Sequence, residues 1–578
     1  MQLDRDLQMN TAIGGKERVC PRTEKLRRAL AFGATALACA LLAGCTGEYY
    51  RKSADNEVYK ILAQKRKRAL NEETPFTIQQ PFGDPLAGLP KRRQFLIPPR
   101  AGDPAWSDPA NLLTIVSLRN AVEIGIRNSR AYQTQKETLY LAALALTLER
   151  HLWSPTFTQL MSGSVQSANG DESWVGNNQF GATQLLATGA DLTLNLSTSF
   201  LRYITGNNPM PQAQSALTGT LIQPLWQGAG QQIAQANLTL AERGVIYAVR
   251  TFARYHRTFV VSIATSYYSV LEQRQVVRNE WNNYQALIEE REETEMLARA
   301  GRRPEFEVDQ ARQDELSAHD SWNQADEQYK LLLDQLKLSL SLPTDAPVDV
   351  DDAELASLSE HGIIHPNISA EAAVRQALAL RLDLMNAQDA VADAALQVKV
   401  ANNGLAPVVD LVFSGNAPSA QARMGQFNFM QGTYSAGLNV GLPLDATAGR
   451  NTLRGSLIAL DQAERAAADL TDNIKLQVRS DWITMQEAKQ SYEIQRKSVE
   501  LAQRRVESTM LLLQAGRAIT RDLLEAQTSW HDAENALVTA LVNHTNARLA
   551  LWRDIETLSV NTEGGLEEKA VHGQSANE

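Results

Sequence analysis

Two stretches of this chain, residues 235–299 and 451–515, each contain a single glycine and no proline. As helix, at 1.5 Å per residue, either would run about 100 Å, several times the width of a compact core. A helix that long must bury an apolar stripe against other helices along its path. Ile474, Val478, Trp482 and Met485, continued by Val499, Ala502 and Val506, have the three-and-four spacing of such a seam. The other positions are rich in Glu, Arg and Gln, and the run Glu289-Glu290-Arg291-Glu292-Glu293 reads as solvated surface. The expected fold is mainly α with a small β part.

Both stretches sit in a duplicated framework, which is worth finding before any single element. Ala121-Val122 opens a helical segment that reaches Pro155, and Ala373-Val374 opens another that reaches Pro407; both Ala-to-Pro intervals are 34 residues (155 − 121 and 407 − 373). A Gly/Ser-rich, β-like section follows each, ending at Pro224-Leu225 with Gly230 or at Pro443-Leu444 with Gly449, six residues beyond the proline both times. Ala300-Gly301 and Ala515-Gly516 then interrupt the long helices, with Ala311 and Ala526 ten residues past the glycines. The offset between repeats falls from 252 at the first landmark to 219 at the second and 215 at the third (373 − 121, 443 − 224, 515 − 300). Most of the loss is in the β section, 69 residues from Pro155 to Pro224 but 36 from Pro407 to Pro443. Repeat one is therefore expected to carry an extra hairpin or a long surface loop around residues 169–178.

Each repeat reads helix, β section, very long helix, break, long helix. Gly301 and Gly516 would close two helical hairpins, glycine being favoured just past a helix C-terminus. Returning helices are expected over residues 305–342 and 520–555, the first stopped by Pro343. Repeat one is assigned to residues 111–343, a linker to 344–368, repeat two to 369–556, and a disordered tail to 557–578.

The β sections show what the helices serve. Residues 191–199 alternate strictly, with Leu192, Leu194 and Leu196 against Asp191, Thr193, Asn195 and Ser197; residues 433–442 do the same. Apolar-out, polar-in strands of this length suit a membrane barrel with a wet lumen, although one half-buried soluble sheet has the same pattern. Two strands per repeat give four per chain, or six with the extra hairpin. Barrels need about eight, so the open edges require other copies of the chain, and a ring-shaped homo-oligomer follows.

The N-terminus points to the same compartment. Residues 29–42 are the only long apolar run, too short to span a bilayer as a helix, and they follow Arg22, Lys25, Arg27 and Arg28 and end in Leu42-Ala43-Gly44-Cys45. Residues 1–44 read as a lipoprotein signal peptide, with Cys45 as the lipid attachment site and residues 45–110 as an extended or helical arm. All three cysteines, Cys20, Cys39 and Cys45, lie at or before that junction, so the mature chain has no free thiol for a disulfide. The leader holds seven Lys/Arg and four Asp/Glu, and removing its +3 takes the formal charge from −10 to −13. Nucleic acid is thereby an improbable partner. Lys65-Arg66-Lys67-Arg68 in the arm reads as a solvated helix end.

Taken together, "SLRNAVEIGIRN" and its echo "SAEAAVRQALAL", the strand ends "LIQPLWQGAG" and "VGLPLDATAG", and the hairpins "ARAGRRPEFEVDQA" and "LQAGRAITRDLLEA" resemble the TolC-like outer-membrane efflux family over residues 111–556. The resemblance implies a trimer, four strands per protomer in a 12-stranded transmembrane β-barrel, and long helical hairpins forming a periplasmic tunnel. It also implies docking on a periplasmic adaptor and an inner-membrane pump or exporter, through the tips at Gly301, Arg302, Gly516 and Arg517. Asp522 and Glu525 stand six and nine residues after Gly516, the spacing of the family's acidic aperture ring; Glu307 and Gln310 are their counterparts in repeat one. A capped helix start is the plainer explanation of those acids. The implied role is the outer-membrane channel of a tripartite efflux or export system, lipid-anchored and barrel-inserted, with a large periplasmic part.

No HExxH, P-loop, GxSxG or CxxC pattern is present, so no enzyme activity and no cofactor are expected. His361 and His365 lack a plausible third ligand, and no metal site is assigned to them. Trp226, near a strand end, suits an aromatic belt or simple packing equally. The rival class, a lipid-anchored periplasmic adaptor or coiled-coil scaffold without a pore, would carry one hairpin flanked by compact β domains rather than this duplicated pattern.

Overall fold

A computed structural model describes residues 47–71, 75–80, 83–97, 99, 104, 108, 112–168, 171–204, 212–419, 425–560 and 565–568. The leader, Cys45 and the last ten residues lie outside the described residues. The chain divides into two compact units between Lys60 and Ile61. The first contributes the opening turns of α1 (Gly47–Leu70), where Glu48 is paired with Arg51 at 2.7 Å and Lys52 at 3.5 Å on the helix surface.

In the second unit the order continues with β1 (Lys91–Arg93), β2 (Leu112–Val116), α2 (Leu118–Asn128), α3 (Arg130–Leu152), β3 (Thr156–Ala168), β4 (Asp171–Leu185), β5 (Asp191–Tyr203) and β6 (Gln212–Pro224). A short α4 (Gln231–Ala234) leads into α5 (Ala236–Arg299), and α6 (Glu305–Ser339) returns. Repeat two follows through β7 (Val348–Val350), α7 (Asp352–His361), α8 (Ala370–Leu380), α9 (Leu382–Asn403), β8 (Val408–Pro418), β9 (Thr433–Gly441), α10 (Thr447–Gln514) and α11 (Thr520–Asp554). Two short strands, β10 (Leu558–Val560) and β11 (Leu566–Glu568), close the described chain.

The duplication is visible in local chemistry. Ser117 caps α2 by accepting from the Asn120 amide at 3.3 Å, and Ser369, 252 residues on, caps α8 from Ala372 at 3.2 Å. Both opening helices break at one extended residue, Ser129 with ψ 125° and Arg381 with ψ 119°, again 252 apart, before α3 and α9 resume. Gly301 and Gly516 sit at φ +68° and +70°, a conformation in which a side chain would be strained. In both turns the next amide reaches back five residues, Arg302 to the Leu297 carbonyl at 2.9 Å and Arg517 to Leu512 at 2.8 Å, which satisfies carbonyls the helix leaves open.

The core lies midway along the helices, where Tyr267, Leu271 and Val277 of α5 meet Ile474, Val478 and Met485 of α10 and Leu541 and Leu551 of α11. A three-stranded sheet, β1-β2-β7, is packed there, with β2 parallel to β7. The arm runs beside it: the Gln133 side chain donates to Ile78 O at 2.7 Å, Gln94 to Val350 O at 2.8 Å, and Leu86, Leu89 and Leu96 pack on the core. Burying these apolar groups supplies the main stabilisation, about 1.5–3 kcal/mol for each fully buried large side chain.

Of the two alternatives for the β section of repeat one, the extra hairpin holds and the surface loop does not: four strands stand there, and β3-β4-β5-β6-β8-β9 form one six-stranded antiparallel sheet. Three expectations need correction. Lys65 is not solvated; its ammonium is buried on the Glu242 carboxylate and on Glu242 O at 3.1 Å, and Arg150 reaches the same carboxylate at 2.6 Å, so the buried ammonium is paired. The charge run on α5 is only partly solvated, because Arg291 turns inward to the Glu315 and Glu295 carboxylates. The chain does not lose order at residue 557: Thr557 is buried, and β10 pairs with β11. Trp226 is exposed, which removes simple packing as its role in the single chain.

Candidate pore-forming sheet and hairpin tips

Cross-strand partners share a face in an antiparallel sheet, so the strand registers sort every side chain. Leu192 lies opposite Leu221, and Leu221 opposite Phe413; Leu196 lies opposite Phe180 and Leu217. This face continues through Phe157, Met161, Val165 and Trp174 on one side and Tyr434, Leu438 and Val440 on the other. Phe157, Met161, Val165, Tyr434 and Leu438 are each more than half exposed. The opposite face carries Thr158, Ser162, Ser164, Asn177, Thr193, Asn195, Ser197, Thr218, Asp410, Asn416, Ser435 and Asn439, with Ser414 and Ser435 hydrogen-bonded at 2.7 Å. An apolar face of this extent left outside is not tolerated in water, whereas in a bilayer it is the face that belongs outward. No helix among the described residues is long and apolar enough to cross a membrane.

Sheet edges decide whether that face can enter lipid. Every internal strand is paired on both sides, but β3 and β9 are each paired on one side only. Unpaired backbone groups in hydrocarbon cost several kcal/mol each. Closure by further strands is a physical requirement of insertion.

At the other end of the helices, the two hairpin tips stand together. The Thr520 hydroxyl at the start of α11 donates to the Glu307 carboxylate at 3.2 Å, and Arg303 approaches the same oxygen at 3.4 Å. Asp522 accepts from the Ile519 amide at 3.1 Å and so caps its own helix. Glu525 pairs across the hairpin with Arg505 at 2.9 Å, both side chains being largely exposed. Thus the structure brings Glu307 next to the start of α11, while Asp522 and Glu525 each hold a separate local partner. Arg505 and Thr520 do not stand out in the sequence, because neither belongs to a recognisable spacing and both partners come from another helix or another repeat. Glu290, near the first tip, has its carboxyl pushed up by burial and by Glu293, against the opposing charge of Arg303. Gly301, Arg302, Gly516 and Arg517 are exposed, beside the exposed apolar side chains Phe306, Leu511 and Ile519.

Two titratable clusters lie between the sheet and the tips. His365 Nδ1 is 3.1 Å from His544 Nε2 and its Nε2 is 3.0 Å from Gln486; His361 lies apart on Ser357 O at 2.8 Å. Burial, reinforced by His365, Arg548 and Lys489, pushes His544 down to about 4. Burial, then the Lys489 charge, also lowers His365, so both rings favour the neutral form, in which one N–H can donate to the other ring. Asp481 faces Asp554; burial, then the Asp554 carboxylate, raises Asp481 to about 7. Asp554 is itself pushed up by burial, but the Arg553 hydrogen bond and charge and the Arg254 charge hold it below its ordinary value. Among the described residues no group of His, Cys, Asp and Glu has the arrangement of a metal site.

Comparison with known proteins agrees with this geometry. Residues 373–553 match the outer membrane efflux protein family. No curated protein matches in sequence. Solved structures similar in fold include CusC, described for its folding and transmembrane channel formation, at 14% identity with 82% of this chain and 98% of that chain covered and a TM-score of 0.56. The Campylobacter jejuni CmeC outer membrane channel has 15% identity, coverage of 80% and 88%, and a TM-score of 0.56. The open state of the Neisseria gonorrhoeae MtrE outer membrane channel has 16% identity, coverage of 76% and 88%, and a TM-score of 0.56.

Proposed function

We propose that this chain, which belongs through its second repeat to the outer membrane efflux proteins and has the fold of TolC-like channels, is the outer-membrane channel of a tripartite efflux or export system. It receives substrate from a periplasmic adaptor and an inner-membrane pump and releases it outside. It works as a homotrimer whose sheets form a barrel in the outer membrane and whose helices form a periplasmic tunnel. The observation that carries this is the six-stranded sheet, mainly apolar on one face, mainly polar on the other and open at both edges. A pore-less adaptor or scaffold has no use for such a sheet.

At the far end, Glu307, Asp522 and Glu525 surround the tunnel aperture, and the tips at Gly301, Arg302, Gly516 and Arg517 dock on the adaptor or pump; the adjacency of the two tips through Thr520 and Glu307 supports both roles. Cys45 carries the lipid anchor. Purification in detergent followed by mass measurement and planar-bilayer recording tests the channel: a trimer that conducts is expected, and a monodisperse monomer that conducts, or a trimer that does not, would refute it. Labelling with a fatty acid tests the anchor separately, since label persisting in Cys45→Ser would exclude that residue.

A further inference from the structure

We propose that the ring closes through one defined seam, in which β9 of one copy pairs antiparallel with β3 of the next, placing Gly437 opposite Ser164 and Asn439 opposite Ser162. The inference rests on the oligomeric channel proposed above and specifies the contact that builds it.

The duplication supplies the register. Thr156, the first residue of β3, stands 252 residues before Val408, the first of β8, and both follow a proline. Pro224 at the end of β6 stands 219 residues before Pro443, just past β9. In the repeat, then, β3 corresponds to β8 and β6 to β9. The surplus is β4 and β5: Asp171 to Tyr203 is 33 residues, the difference between the 69- and 36-residue β sections. Within one copy the repeats are joined where β6 pairs with β8, Thr218 opposite Asn416 and Thr220 opposite Ser414. The two strands left with an open edge are the repeat equivalents of that joint, in the same antiparallel sense. Carrying its register across by the two offsets puts Gly437 (218 + 219) opposite Ser164 (416 − 252), and Asn439 (220 + 219) opposite Ser162 (414 − 252).

Independent features agree with this register. It sets lumen-face positions opposite lumen-face positions, as above, and lipid-face opposite lipid-face, with Ala436 facing Val165 and Val440 facing Met161, so the two faces run unbroken through the seam. A shift by one residue would put Tyr434, Leu438 and Val440 beside the lumen face of β3. The added hairpin is also fixed as part of the wall. Its turn is pinned at the helix end of the sheet, where Gly230 donates to Thr188 O at 3.3 Å and the Thr188 hydroxyl to the Gln223 side chain at 2.9 Å. A Cβ on Gly189 would come within 2.7 Å of Gly228 O. With β4 and β5 inside the wall, three six-stranded copies give eighteen strands, where the resemblance implied twelve. Barrel diameter grows roughly linearly with strand number, and at about 16–18 strands an aqueous channel opens.

Cross-linking tests the seam. Ser215 O accepts from the Ser419 amide at 2.7 Å and Val409 O from the Leu225 amide at 2.7 Å, so odd-numbered β6 positions make the hydrogen-bonded pairs. Thr218–Asn416 is then a non-hydrogen-bonded pair, with the close Cα approach a disulfide needs, and so is its equivalent. Ser164→Cys/Gly437→Cys, oxidised in membranes beside identically treated wild type, should lose its monomer band on non-reducing gels and end as a covalent trimer. Ser164→Cys/Asn439→Cys, two residues out of register, should cross-link weakly. Gly437→Cys combined with Asn195→Cys, Ser197→Cys or Ser199→Cys probes β5 as the edge; efficient cross-linking there would overturn the proposal. Amide hydrogen exchange on the wild-type protein needs no variant: residues 158–167 should be protected in the assembled form, and rapid exchange there in an intact trimer would overturn the seam. A protein that never leaves the monomer would instead refute the oligomeric channel itself.

Discussion

The two repeats share a skeleton and differ in what surrounds it. In repeat one, α5 runs through the core with buried residues from Ala236 to Thr294, and its Arg274 is fully buried against Asp349. In repeat two, α10 is longer but buries only Ile474, Val478, Met485 and Ala488, and it leaves Leu476, Ile483, Ile494 and Leu501 in solvent. A duplicated sequence thus yields one helix whose apolar side chains find partners along most of its length in its own chain and one that leaves several of them without a partner there. The first holds the protomer together. The second is suited to hold copies together.

The largest effect should come from breaking the first half of that contrast. Arg274 Nη1 is paired with the Asp349 carboxylate, lies 3.1 Å from the Tyr329 hydroxyl, and its Nε reaches Asp352 at 2.7 Å. Arg274→Ala leaves Asp349 charged and buried, which costs about 3–5 kcal/mol. Chemical unfolding of the extracted protein should show a loss of that size, and Arg274→Met should be milder only when Asp349→Asn accompanies it. Next comes the second half. Leu476→Asp with Ile483→Asp should leave helix content and monomer stability unchanged and shift the mass from trimer towards monomer, as two groups worth about 1.5–3 kcal/mol each are lost from an interface. Loss of the folded monomer instead would place these residues in the protomer core.

A third, smaller effect is pH-dependent and lies within repeat two, where the middle of α10 meets the end of α11. Asp481 Oδ2 has no donor of its own, so a proton on it donates to Asp554 and relieves two facing carboxylates. Because Asp481 is raised from 3.8 to about 7, its contribution is fully present below about pH 4 and is lost as pH rises through 7. Asp481→Asn keeps a donor and carries no charge. Its stability relative to wild type should therefore grow as the pH rises from 5 to 8; parallel pH profiles would deny the shared proton.

Much of this architecture is legible in the sequence alone. The glycine- and proline-poor runs, the glycines at the hairpin turns and the strict alternation in β5 and β9 each follow from local rules, and each stands where those rules put it. The β section of repeat one is harder, because Gly163, Gly176 and Gly181 and scattered polar residues blur its alternation; only cross-strand pairing shows that Phe157, Phe180 and Leu196 share a face. The partners of Lys65, Asp481 and Glu525 are illegible for a different reason. Each lies on another helix, and helix rotation is not written in any single segment.

The smallest expected effect concerns the tips, where the repeats differ by one charge: Asp522 and Glu525 in repeat two, Glu307 and Gln310 in repeat one. As a helix cap, Asp522 is worth about 1 kcal/mol, and the exposed Glu525–Arg505 pair about 0.2–1 kcal/mol. Removing both should therefore barely move stability. In a threefold ring the same two residues gather six carboxylates around one axis, where Arg505 compensates only part of the charge. Such a ring draws cations and binds multivalent ones. Single-channel recording of Asp522→Ala/Glu525→Ala should show weaker cation selectivity and weaker block by multivalent cations. Arg505→Ala should shift both the other way, by freeing Glu525, and Gln310→Glu should add charge where repeat one lacks it. If all three assembled variants match wild type in selectivity and block, these acids cap and pair helices and the aperture lies elsewhere on the tips.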